Sequence, residues 1–180
     1  MKYDNLMIDI ETLGDLPGSA MLNVAAVPFN FNGDIGPEFM ASITMESALK
    51  IGGTTNSTLI WWLEKDPALL LKTLLEGNIS TLEALESLHG FVTENCNEHV
   101  KVWANGPDFD LKILEDKIVK CDLYKWWLPW NQRCVRTIKS IDLTLAKSFV
   151  NLEKHNPVED CKVQIKQVLA IYEKYNLNIC

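Results

Sequence analysis

Two carboxylates, Asp9 and Glu11, lie two residues apart in an otherwise apolar segment near the start of the chain. Side chains alternate along a strand, so both acids share one face, while Ile8 and Ile10 lie on the other. Asp9 has apolar neighbours on both sides, as in a central strand, and like charges at a partly buried site repel unless a cation or a proton intervenes. This predicts a site for a hard divalent cation, which prefers carboxylate oxygens. The alternative is a strand end that reaches solvent.

Two further acids fall where helices are expected to begin. Asp110 lies in the first turn of a helix opened by Pro107, and Asp160 in the first turn of a helix opened by Pro157. Each alone is explained by the interaction of an acid with a helix N-terminus, worth about 0.3–1 kcal/mol. His155 lies on a loop five residues before Asp160, where an imidazole of near-neutral pKa can reach a water molecule. A lone loop histidine also has a purely structural explanation.

The elements that must position these groups follow from hydrophobic periodicity. Three strands come first, with a tight turn at Asn32-Gly33, then helices, then alternating strands and helices, which predicts an α/β fold with an antiparallel start. Asn156 is expected to cap the last helix. Strands are predicted at 6–11, 21–29, 38–43, 100–104 and near Cys134-Val135, and helices at 59–63, 67–75, 82–92, from Pro107 and from Pro157.

The composition indicates one folded domain over residues 1–180. The chain has 47% hydrophobic and 23% charged residues, which excludes disordered and disulfide-stapled classes. Its net charge of −7 argues against a protein that coats nucleic acid by charge alone. The charge is uneven: residues 1–100 hold 14 acids and 4 bases, and residues 101–180 hold 10 acids and 13 bases. The second half can therefore carry a local electropositive surface.

Five cysteines, none in a Cys-x-x-Cys pair, indicate free thiols in a reducing compartment. Acids interrupt the apolar segment near the N-terminus, so it does not resemble a signal peptide, and no apolar run reaches transmembrane length. We expect a cytoplasmic protein with no membrane partner and no obligate protein partner.

Three blocks of sequence, at 7–14, 105–110 and 155–160, resemble the three motifs of the DEDDh 3′–5′ exonucleases, in the same order and with the same spacing from the histidine to the last aspartate. Segments 57–63 and 130–137 are similar to the phage exonuclease A and exonuclease VIII branch. The resemblance covers nearly the whole chain. It implies a ribonuclease-H-like fold, with a five-stranded mixed sheet and helices on both sides.

Carried over by position, the resemblance implies that Asp9, Glu11, Asp110 and Asp160 bind two divalent cations, Mg²⁺ or Mn²⁺, and that His155 is the general base. Asp108 is a rival to Asp110, but the family acid follows an aromatic residue, as Asp110 follows Phe109. The chain departs from the branch at Cys134, where an aspartate is usual.

The expected activity is hydrolysis of single-stranded DNA from its 3′ end to nucleoside 5′-monophosphates. The alternatives are the same reaction on RNA and a non-catalytic binding module. At least half of the six tryptophans are expected to lie in the core. An exposed tryptophan could stack on a base. The candidates for substrate contacts are Thr12, Leu13, Gly14, Trp61, Asn105, Phe109, Arg133 and Arg136.

Overall fold

A five-stranded mixed sheet forms the centre of the computed structural model, which describes residues 2–152 and 155–177. The sheet order is β3-β2-β1-β4-β5. β1 pairs antiparallel with β2 and parallel with β4; β2 and β3 are antiparallel, and β4 and β5 are parallel. The strands are β1 (Tyr3–Thr12), β2 (Met21–Phe29), β3 (Phe39–Ser42), β4 (Cys96–Ala104) and β5 (Gln132–Cys134).

Eight α-helices occur among the described residues. Several begin at side chains that accept backbone N–H groups, including Ser80 before α4 and Asn156 before α8. The helices are α1 (Met45–Ile51), α2 (Asn56–Lys65), α3 (Pro67–Glu76), α4 (Thr81–Asn95), α5 (Asp110–Lys120), α6 (Val135–Lys139), α7 (Leu143–Ser148) and α8 (Pro157–Tyr175).

The two faces of the sheet bury separate apolar clusters. Leu6, Ile8 and Ile10 of β1 pack with helices α1 to α5, whereas Met7 packs with α6, α7 and α8. This is the alternation expected of a central strand, and it confirms the mixed sheet with helices on both sides. Asp9 lies on the same face of the sheet as Met7, where α8 packs.

Several boundaries differ from the sequence-based expectations. The helix expected from Pro107 begins at Asp110, because residues 107–109 form a turn in which the amides of Phe109 and Asp110 bond to the Gly106 carbonyl. The short helices α1, α6 and α7 were not predicted, since segments of five to seven residues show too little periodicity. The fifth strand ends at Cys134, and Val135 already begins α6.

No helix among the described residues has the length and apolar character needed to cross a membrane. Cys96, Cys121, Cys134 and Cys161 are free thiols. Cys180 lies outside the described residues.

Candidate active site

Four carboxylates from three elements meet in one cleft at the edge of the sheet. Asp9 and Glu11 come from the end of β1, Asp110 from the start of α5, and Asp160 from the first turn of α8. β1 and β4 are parallel, so their carboxyl ends open to the same edge, and α5 begins shortly after β4 ends. The cleft has a volume of about 310 Å³ and is lined by Asp9, Ile10, Glu11, Asn105, Phe109, Asp110, Arg136, His155, Asp160 and Gln164.

The turn between β4 and α5 directs Asp110 inward. Gly106 has φ +152°, and a Cβ there would lie 3.4 Å from the Arg136 guanidinium, so a side chain at this position is strained and would crowd the arginine. Asp110 is buried, whereas Asp108 is exposed and does not line the cleft. The structure therefore brings Asp110, rather than Asp108, to the other acids.

Asp160 is held at the N-terminus of α8. The Asn156 side chain accepts the amides of Val158 and Glu159, and the Asp160 amide bonds to the Asn156 carbonyl at 2.9 Å. Asn151 Nδ2 donates to Asp160 Oδ1 at 2.8 Å. These contacts fix the carboxylate at the positive end of the helix dipole.

Oxygen atoms of Asp9, Glu11 and Asp160 lie within 4.8 Å of one another. Three convergent carboxylates suit a hard divalent cation, which takes oxygen ligands. Asp110 faces the same cleft but is outside this close group. The residues present thus fit the divalent metal that the sequence predicts.

Burial and mutual repulsion oppose ionisation of the cluster. Burial is the largest cause that raises the pKa of Asp9 well above its ordinary value, followed by repulsion from Asp110, Glu11 and Asp160. Burial also raises the pKa of Glu11, against the opposing effect of His155. It raises the pKa of Asp110 to about 7, although backbone N–H groups act in the other direction. A bound cation would offset these costs because it favours the charged carboxylates.

His155 lies at the mouth of the cleft in a left-handed backbone conformation, with φ +62°. Its Nδ1 is 3.7 Å from Glu11 Oε1, and this contact is the main cause that raises the pKa of His155, although burial lowers it. The imidazole meets the rings of Trp61 and Trp62 edge to face, at 5.1 and 5.5 Å between centroids. The two tryptophans and Glu11 therefore hold the ring beside the carboxylates.

Two residues of the site, Gln164 and Asn23, were not predicted from the sequence. Gln164 donates from Nε2 to Asp9 Oδ1 at 2.9 Å, and Asn23 Oδ1 accepts the Glu11 amide at 3.1 Å. Gln164 follows Asp160 by one helical turn, a spacing that places both on one face. Asn23 is the polar residue in an otherwise apolar strand. Both signals were present in the sequence.

Three predicted substrate contacts line the cleft: Asn105, Phe109 and Arg136. Trp61 stands beside His155 with 38% of its surface exposed, while its neighbour Trp62 is buried and donates from Nε1 to the Thr12 carbonyl at 3.0 Å. Of the six tryptophans, Trp62, Trp103 and Trp127 are buried, which confirms that half are core.

Residues 12–14, where the sequence predicts a nucleotide contact, are buried in this structure. Thr12 is buried and its hydroxyl donates to the Gly14 carbonyl. Leu13 is in the core, and its amide and carbonyl bond to Ala20 and Thr55. Gly14 is buried too, and a Cβ there would lie 2.3 Å from the Ser19 hydroxyl. These three residues close the loop after β1 instead of forming an open surface.

Arg133 is also placed away from the cleft. Its guanidinium donates to the carbonyls of Trp130 and Gln132, and its charge acts on Tyr172. Tyr172 follows Asp160 by twelve residues of α8, which is about 18 Å along the helix. Arg136 is therefore the arginine that lines the cleft, and the phosphate contact expected at Arg133 stays a prediction.

Comparison with known proteins finds a matching sequence family and similar folds. The sequence model of the family described as 3′-5′ exoribonuclease Rv2179c-like domain matches residues 4–172. An exodeoxyribonuclease of Enterobacteria phage T4 is 23% identical over 195 residues, covering 89% of this chain and 86% of that protein. The fold is similar to the nuclease domain of 3′hExo, a DEDDh family member bound to rAMP, with TM-score 0.65, 11% identity and coverage of 96% and 93%. It is also similar to exonuclease X in complex with 5′ overhanging duplex DNA, with TM-score 0.57, 13% identity and coverage of 96% and 93%.

Proposed function

Because the chain belongs to the family of 3′-5′ exoribonuclease Rv2179c-like domains and is a 3′–5′ exonuclease of the DEDDh type, we propose that it degrades single-stranded DNA from the 3′ end and releases nucleoside 5′-monophosphates. The observation that carries this proposal is the convergence of four carboxylates and one histidine on a single cleft. The same cleft contains one arginine to attract a phosphate.

The metal ligands in this proposal are the four carboxylates. Asp9, Glu11 and Asp160 would hold one Mg²⁺ or Mn²⁺, and Asp9 with Asp110 a second. When bound, such a pair of cations would lower the pKa of the attacking water and stabilise the leaving 3′ oxygen.

His155 is proposed to take the proton of the attacking water. The loop position before α8 places it at the mouth of the cleft, and the rings of Trp61 and Trp62 restrict its orientation. Contact with Glu11 raises the pKa of His155, and an imidazole beside the carboxylates is a suitable proton acceptor. Efficient general bases have pKa values near the working pH.

Arg136 and Trp61 are proposed to hold the substrate. Arg136 is the arginine that lines the cleft, and its positive charge acts on Asp110. A guanidinium matches the geometry of a phosphate and can bind it through two hydrogen bonds. The exposed surface of Trp61 offers a ring on which a base can stack, a contact worth about 1–3 kcal/mol.

DNA is the first candidate substrate and RNA the second. The phage T4 relative, which matches along most of both chains, is an exodeoxyribonuclease. RNA is favoured by the description of the family as exoribonuclease-like and by the rAMP bound to 3′hExo. Only RNA carries a 2′-hydroxyl, so a site that reads this group would separate the two.

The test uses DNA and RNA oligonucleotides of one sequence, each with a 5′ label, incubated with Mg²⁺ or with Mn²⁺. We expect both to shorten from the 3′ end, with the larger kcat/KM on DNA. A larger kcat/KM on RNA would reverse the substrate assignment. A duplex of the same DNA strand serves as the control for single-strand preference, and equal rates on duplex and single strand would exclude that preference.

A further inference from the structure

Gln164 contacts the proposed metal ligand Asp9 but has no role in the proposed reaction. It lies on α8, one turn after Asp160, with only 7% of its surface exposed, and it lines the cleft. Its Nε2 donates to Asp9 Oδ1 at 2.9 Å. In the described part of the chain, it is the only side chain that donates a hydrogen bond to Asp9.

Burial of the Gln164 amide has a free-energy cost that packing alone does not explain. Its Oε1 is buried and has no hydrogen-bond partner among the described residues. A buried polar atom without a partner destabilises the folded state, and an apolar side chain of the same length would avoid that loss. The gain that offsets it is the hydrogen bond to Asp9.

We propose that Gln164 is a positioning residue, which fixes the orientation of the Asp9 carboxylate for metal binding. Three other carboxylates repel the Asp9 carboxylate. Without a fixed hydrogen-bond donor, rotation of the Asp9 side chain away from them would lower this electrostatic repulsion. The hydrogen bond to Oδ1 holds the carboxylate in the cleft and leaves its other oxygen for a cation. Residues that orient metal ligands in this way typically change metal affinity about 10- to 100-fold when substituted. The inference rests on the metal site proposed above.

Gln167 provides a matched control on the same helix. It is similarly buried, its Nε2 donates to the Ala146 carbonyl at 3.0 Å, and its Oε1 also lacks a partner among the described residues. Gln164→Met and Gln167→Met therefore each remove one hydrogen bond and one unpaired oxygen at nearly constant volume. Only the first removes a contact to a carboxylate.

The experiment measures the Kd for Mn²⁺ by isothermal titration calorimetry without substrate. We expect Gln164→Met to weaken binding by about tenfold or more and Gln167→Met to change it less than twofold. Excess Mn²⁺ should restore most of the nuclease activity of Gln164→Met, which a packing defect would not allow. An unchanged Kd for Gln164→Met, or an equal loss in both variants, would overturn the inference.

Gln164→Asn covers the case in which the methionine variant does not fold. The shorter amide remains polar but cannot reach Asp9, so Mn²⁺ binding should weaken as in Gln164→Met, and wild-type affinity would contradict the positioning role. The wild type separates the two proposals. If it binds no Mn²⁺ at all, the metal site itself is refuted, whereas tight binding that is indifferent to residue 164 refutes only the positioning role.

Discussion

Asp110→Asn should stabilise the metal-free protein at the same time as it inactivates the enzyme. Asp110 is 4% exposed, and nearby backbone N–H groups, including that of Ile10, favour its ionised form. Burial is the main cause that raises its pKa from 3.8 to about 7, with a further contribution from Glu11. An asparagine keeps an oxygen that can accept a backbone N–H and removes the buried charge.

The size and sign of the effect follow from that pKa. Each pKa unit corresponds to about 1.4 kcal/mol, so the folded protein pays up to about 4 kcal/mol to keep Asp110 ionised. At pH 8 the group is charged in both the folded and the unfolded chain, and the cost is present in full. As the pH falls below 7 the folded state takes up the proton first, and the cost disappears below pH 3.8. The advantage of Asp110→Asn should therefore be largest at pH 8 and fade on acidification.

Chemical denaturation in EDTA, at pH 8 and at lower pH, measures the difference in the free energy of unfolding between Asp110→Asn and the wild type. We expect a higher free energy of unfolding for the variant at pH 8, up to about 4 kcal/mol, which is on the order of 10 °C in Tm for a domain of this size. Asp108→Asn, two residues earlier and exposed, is the control and should change stability by less than about 0.5 kcal/mol. If Asp110→Asn is less stable than the wild type at pH 8, the buried Asp110 charge does not destabilise the fold and the prediction is refuted.

Three further substitutions and one control substitution test the roles assigned around the cleft. His155→Gln should lower kcat about 10²- to 10⁴-fold while calorimetry shows a Kd for Mn²⁺ close to that of the wild type; retained kcat would exclude its role as base. Arg136→Gln should raise KM for oligonucleotides about tenfold, as expected for a lost charged hydrogen bond. Arg133→Gln is the control and should leave KM unchanged. Equal effects of the two substitutions in steady-state kinetics would contradict the placement of the two arginines. Trp61→Ala should raise KM in the same assay by the loss of about 1–3 kcal/mol of stacking, and an unchanged KM would exclude a base contact there.

The long elements and the acids were predictable because their signals are local. β1 and β2 contain apolar runs of strand length, α8 has helical periodicity, and Asn156 with Pro157 marks the start of α8. Asp9 and Glu11 share a face by the geometry of a strand alone. Asp110 and Asp160 could be grouped with them only through the resemblance to a family, since no local pattern reports that two helix starts meet at one sheet edge.

The substrate contacts were less predictable because they depend on which way a loop folds. Leu13 and Gly14 follow the acids directly, yet the loop turns back and bonds to Ala20 and Thr55. Arg133 and Arg136 differ by three residues, but β5 ends between them, so one guanidinium lies toward Tyr172 and the other lines the cleft. These outcomes are set by tertiary contacts, which a single sequence does not encode in a readable pattern.

The proposed function requires that the carboxylate cleft, loaded with a divalent metal, removes nucleotides from the 3′ end. The most direct measurement is a time course on a 5′-labelled single-stranded DNA with Mn²⁺, for the wild type and for Asp9→Asn. We predict a ladder of labelled products that shortens from the 3′ end in the wild type, and no products in Asp9→Asn or in EDTA. Immediate release of the label as a mononucleotide, or full activity of Asp9→Asn, would contradict the account.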